Sequence, residues 1–237
     1  MVEVDQAEQM ATNDAWWSFV PVDMPSSTPV ATFSVAGRRV VTSLPLNPHG
    51  PYPENACVVA AVAMGDKTRI VTSFSRQRSV ASTLEGVIRS GVLSNTISLL
   101  DQSSVLLASK YRDPAAAALG ALTLHRLGHL AERSGWVENL ARDFSWIPDA
   151  GVVLAAVLST HKDPYERARG LDALIGASTR RLMFTDGLSL AANLLWRWPD
   201  EIDHAKRADA FAAVNALAAH ADLDSVSLVT YEDEVPE

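Results

Sequence analysis

His125 and His129 stand four residues apart in "TLHRLGHLAERSGW", and Glu132 follows three residues later. On a helix this spacing puts both imidazoles on one face, the arrangement by which zinc-dependent hydrolases hold their metal. Those enzymes also need a glutamate directly after the first histidine to activate water. Arg126 fills that place here, and a guanidinium repels a cation and cannot serve as a base. Two imidazoles on the outer face of a helix, with Leu119, Leu122, Leu127 and Leu130 on its inner face, is the simpler reading, and no metal is expected. Metal-dependent hydrolysis by His125, His129 and a distant carboxylate stands as the alternative.

The other reactive residue types offer less. Cys57 is the single cysteine, so the chain has no internal disulfide, which suits a reducing compartment. It begins an apolar run, "ACVVAAV", where a thiol has no base to activate it and is expected to be buried. The sequence contains no G-x-x-x-x-G-K-[ST], G-x-G-x-x-G or G-x-S-x-G. Paired carboxylates such as Asp200–Glu201 and Glu232–Glu234 fall in a linker and the tail. No catalytic group and no cofactor are expected.

The elements that carry these residues follow from periodicity. Residues 1–28 run from acidic to aromatic ("DAWWSFVP") to Pro/Ser-rich, and read as an arm that packs Trp16, Trp17 and Phe19 on a neighbouring surface. Residues 29–78 hold two β-branched hairpins, turning at Ala36-Gly37 and at Gly65-Asp66 and joined by the loop "NPHGPYPEN". Residues 79–222 read as seven or eight helices, the first closing at Gly91. Most of the later ones open on Asp or Pro-Asp, as at Asp113-Pro114 and Asp163-Pro164. Residues 223–237 give a closing strand, "SVSLVTY", and an acidic tail. Four pairs match at an offset of fifty: Asp113-Pro114 with Asp163-Pro164, Ala118 with Ala168, Gly120 with Gly170, and Leu124 with Leu174. Small residues at such places let stacked helical hairpins approach closely. The expected fold is α+β, a small N-terminal antiparallel sheet packed on a larger α-helical array.

Charge narrows the partners. Residues 1–112 hold nine basic and nine acidic residues, so the other eleven basic and nineteen acidic ones, and the whole net charge of −8, belong to residues 113–237. That half would repel a phosphate backbone, so nucleic acid is not an expected partner. No apolar run approaches the ~20 residues that span a bilayer, and the N-terminus has no basic-then-apolar leader, so no membrane role is expected and the location reads as cytoplasmic.

In "GWVENLARDFSWIPDAGVV", Trp136, Leu140, Phe144 and Ile147 recur at helical spacing and are expected to face the core. The same stretch supplies the anchors a partner-binding groove would use: Trp136, Asn139, Asp143, Trp146 and Asp149, beside Trp16 and Trp17 of the arm. The order Asp113-Pro114, Trp136, Asn139-Leu140, Phe144, Trp146, Pro148-Asp149 and "FTDGLSL" from Phe184 to Leu190 resembles a helical, TPR-like accessory region of bacterial multidomain proteins. There it accompanies caspase-like or other peptidase and effector domains. The resemblance spans about residues 110–198 and carries no catalytic residue over. It implies a non-enzymatic adaptor that binds another protein, such as a peptidase or effector subunit, in a signalling or defence assembly. A small-molecule sensor with a ligand held between sheet and helices is a further alternative.

Overall fold

The computed structural model describes residues 2–5, 15–35, 37–51, 54–64, 67–90, 96–200 and 202–233. Ala36, Gly65, Asp66 and Gly91, at which turns or a helix end were expected, lie outside them, as does the end of the acidic tail.

The strands are β1 (Val2–Asp5), β2 (Ala15–Pro21), β3 (Val30–Val35), β4 (Arg38–Ser43), β5 (Cys57–Met64), β6 (Lys67–Phe74) and β7 (Val229–Asp233). They form two antiparallel sheets, β1-β2-β5-β6 and β3-β4-β7. Where one sheet and a separate arm were expected, the aromatic stretch is instead a strand. β2 pairs with β5, Trp17 opposite Val59 and Phe19 opposite Cys57. Side chains two apart share a face of a strand, so Trp17 and Phe19 both meet Phe33 of the other sheet, ring centroids 4.8 and 6.3 Å away. The two sheets enclose one core, with Phe19, Cys57, Val59 and Ile70 from the first and Val40 and Val229 from the second. The buried hydroxyls of Thr42 and Thr72, 2.6 Å apart, satisfy each other across it. The closing strand returns to the sheet, pairing β7 with β4.

The helices are α1 (Ser79–Ser90), α2 (Thr96–Ala108), α3 (Pro114–Arg126), α4 (Ser134–Asp143), α5 (Pro148–Leu158), α6 (Pro164–Ser178), α7 (Thr185–Arg197) and α8 (His204–Ala218). Short turns ending in Asp113 and Asp163 fold α2 back on α3 and α5 back on α6. Each aspartate caps its helix: Asp113 accepts from the Ala116 amide and Asp163 from the Tyr165 amide, with proline at the first helical position. Gly120 and Gly170 are the close-approach points. A Cβ on Gly120 would lie 2.7 Å from the Ser103 carbonyl oxygen, and one on Gly170 2.8 Å from the Leu158 Cβ. Leu124 and Leu174 are both fully buried. The matched Asp-Pro, glycine and leucine residues thus do the same local work in two helical hairpins.

Sheets and helices are tied by buried polar contacts. The Arg78 guanidinium donates through Nε and Nη2 to the two Asp113 oxygens and through Nη1 to the Pro45 carbonyl, lying over the Phe74 ring at 4.3 Å. Residues 181–185, running into the first residue of α7, form a second joint. Arg181 donates to the carbonyls of Val41 and Leu228 and to the hydroxyls of Ser43 and Thr230, while the Leu228 amide donates to Met183. Burial pushes the Arg181 guanidinium down to about 10.

Candidate functional site

α4 does not run through Ile147 as its periodicity suggested. It ends at Asp143, and Ile147 takes an extended conformation ahead of Pro148, because proline disfavours a helical residue before it. Leu140, Phe144 and Ile147 are nonetheless buried in the core, as their spacing suggested. Val137 and Leu140 are buried while Trp136 is 38% exposed, with the Arg133 guanidinium 5.4 Å from its ring.

At this break in the helix lies an open groove of about 600 Å³ between α4, α5 and α6. Its floor is small and apolar: Ala141, Ile147, Gly151, Leu154, Ala173 and Gly176. Gly151 is needed for packing, since a Cβ there would meet the Ala173 carbonyl oxygen at 3.1 Å. Gly176 is not: a Cβ there would meet nothing within 4 Å. A glycine inside a helix costs roughly 0.5–1 kcal/mol relative to alanine, so its effect here is to leave the floor bare. Arg142, Arg169 and Arg180 stand on the rim with Glu138 and Asp172. Arg169 spans from α6 to Glu138 of α4 at 2.9 Å. Arg180 donates only to the Ser145 and Gly176 carbonyls among the described residues.

The segment anticipated as a partner-binding groove thus forms one wall, but through other residues than those named for it. Asp143 is occupied by Arg142 and the Tyr111 hydroxyl, which hold its carboxyl below the usual range. Asn139 is half-buried beside the groove and does not line it. Trp146 and Asp149 are buried, which takes both away from any partner. Trp16 and Trp17 are part-exposed residues of β2, on opposite faces of the sheet. Small residues on facing helices, with Gly176 in the last turn of α6 among them, were the available signal for the groove.

Asp149 serves the fold. It accepts from the Met183 and Phe184 amides at 2.7 and 3.1 Å, and a Cβ on Gly187 would lie against its Oδ1. Pro148-Asp149 and "FTDG" are thus two halves of one buried knot, in which α5 holds the strand-like joint of residues 181–185. Burial raises the Asp149 carboxyl to about 6 against the opposing pull of those amides. Two further buried groups are similarly placed. Burial pushes the Cys57 thiol up to about 12. Glu85, also raised by burial, accepts from the Phe74 amide and from Arg89.

The two histidines do not share a helical face. α3 ends at Arg126, and Gly128 turns the chain with φ of 78°, a conformation glycine adopts without strain. His129 then pairs with Glu132 at 2.9 Å in exposed chain, while burial lowers the His125 imidazole. Among the described residues no three His, Cys, Asp or Glu side chains gather as metal ligands, and no helix is long and apolar enough to cross a membrane.

Fold and groove together define an α+β protein whose helical half presents an open, arginine-rimmed cleft. Residues 83–237 match the family described as the Y4kD C-terminal domain, and the chain belongs to that family. The matched stretch takes in the groove, the Asp149 knot and β7, and that description names neither a TPR-like repeat nor a peptidase. No curated protein and no solved structure matches the chain.

Proposed function

We propose that this chain is a non-enzymatic accessory protein whose groove between α4, α5 and α6 binds a segment of another protein. The observation that carries the reading is the groove itself, with a floor left bare at Gly176 and three guanidinium groups on its rim. An open groove with an apolar floor suits a helix or an extended peptide better than an enclosed metabolite. Arginine is a favoured anchor at such surfaces. Arg142 and Arg169 are held by carboxylates while Arg180 has only carbonyl acceptors among the described residues, so the complementary segment places an acidic group at Arg180 beside small apolar anchors. The shifted titratable groups named above are committed to backbone amides, ion pairs or burial, which supports a binding role over a catalytic one. The resemblance of residues 110–198 to accessory regions of peptidase-containing proteins supports a peptidase or effector subunit of a bacterial signalling or defence assembly as the partner.

Parallel affinity captures from native lysate test this, one with the parent chain and one with Gly176→Leu and Arg180→Glu combined. Both substitutions sit at exposed positions. A protein held stoichiometrically by the parent and lost by the variant is the expected result; the same proteins held equally by both overturn the assignment.

A further inference from the structure

We propose that a second cavity, between β6, α1, α3 and the start of α7, binds a small organic anion through Arg69, Arg89 and Arg126. It encloses about 510 Å³, within the range of metabolite sites, and lies apart from the α4–α6 groove.

Its three arginines come from different elements and are each held by a protein acceptor. Arg69 grips Asp222 through Nε and Nη2 at 2.7 and 2.9 Å. Arg89 uses Nη2 on Glu85 at 2.8 Å and on the Ser73 hydroxyl at 3.1 Å. Arg126 reaches Asp186 only at 3.4 Å through Nη1, with the two side chains 46% and 36% exposed. A guanidinium carries five N–H donors. Among the described residues, Nη1 of Arg69, Nε and Nη1 of Arg89, and Nε and Nη2 of Arg126 therefore have no acceptor. Two of the three guanidiniums are fixed in place by short contacts, so little order has to be gained on binding. Planar N–H forks of this kind match the paired oxygens of a carboxylate or phosphate. The accessible apolar part of the lining, Ile88 and Leu223, takes a short carbon skeleton. Asp186 and Asp224 are the carboxylates of the lining, and the loose contact of Asp186 with Arg126 is the one an incoming anion displaces.

Isothermal titration of the full chain at fixed ionic strength, with citrate and with inorganic pyrophosphate, tests the site. One saturable site for either is expected, and the one that binds tells whether the natural ligand presents carboxylates or phosphates. Arg126→Gln and Arg89→Gln should each weaken binding at least tenfold. Asp186→Asn should tighten it severalfold, a gain that a purely structural role for the pair would not give. Arg126 and Asp186 are both part-exposed, and a melting temperature equal to the parent's identifies variants fit to titrate. Saturable binding of neither anion, binding indifferent to Arg126→Gln, or acetate binding as tightly as citrate overturns the proposal.

Discussion

The hairpins α2–α3 and α5–α6 are built on the same plan and end up in opposite environments. Each has an aspartate cap, a proline at the first helical position, a glycine at the close approach and a buried leucine fifty residues from its counterpart. In α3, residues 114–124 are all buried, because α1, α2, α4 and α5 surround the helix. In α6 only Gly170, Leu171, Leu174, Ala177 and Ser178 are buried, and the rest of the helix faces the groove or solvent. The first hairpin anchors the array to the sheets through Arg78 and Asp113. The second leaves a face uncovered. One local pattern thus yields a core element or a binding wall according to what its outer face meets.

The two caps give the widest separation. Asp163 serves its own helix at an exposed position, whereas Asp113 also neutralises the buried Arg78. In urea denaturation Asp113→Ala is expected to cost about 3–5 kcal/mol, since it strands a buried charge. Asp163→Ala is expected to cost about 1 kcal/mol. Equal losses would erase the distinction between anchor and wall.

Asp149, which opens the second hairpin, gives the next effect. A carboxyl raised from 3.8 to about 6 by burial binds its proton more tightly in the folded chain than in the unfolded one. Its contribution to stability is full below about pH 4 and is lost as pH rises to about 6, a change on the order of 3 kcal/mol. Asp149→Asn lacks this titration. The variant should gain on the parent as pH rises through that window and hold a constant offset above it, read from denaturation curves at successive pH values. A constant offset from pH 4 upward would show that the knot is not titrating.

The close-approach glycines should behave alike. Gly120→Ala and Gly170→Ala are each expected to lose about 1–3 kcal/mol by overpacking. Gly120 should lose more, because the obstacle there is the Ser103 backbone carbonyl. Smallest, and opposite in sign, Gly176→Ala should raise stability by about 0.5–1 kcal/mol, because nothing stands within 4 Å of the new methyl group. A loss there would mean that the groove floor is already covered.

What was legible in the sequence was local. Asp113-Pro114 and Asp163-Pro164 announce helix starts because caps act within four residues, and the β-branched stretch before the tail announced β7. Contacts between distant residues were not legible. That Trp17 and Phe19 belong to a strand depends on pairing with β5 some forty residues on, and the division into two sheets depends on the same non-local choice. Periodicity also carried α4 past its end, because the spacing of Trp136, Leu140, Phe144 and Ile147 says nothing of the constraint Pro148 puts on Ile147. Of the groove, its segment was visible and its lining was not. The conspicuous residues Trp146 and Asp149 turned inward, while the floor is made of alanine, glycine, Ile147 and Leu154, which no chemical motif marks.

The claim most in need of a direct test is that the α4–α6 groove is covered by a protein partner. A photo-crosslinking amino acid at Asp172, exposed on the groove rim, compared with one at Lys206 on α8, provides it in living cells. A discrete crosslinked partner is expected from position 172, absent from position 206 and lost when Gly176→Leu is added. Crosslinking of the same proteins from both positions, or from position 172 regardless of Gly176→Leu, would contradict it.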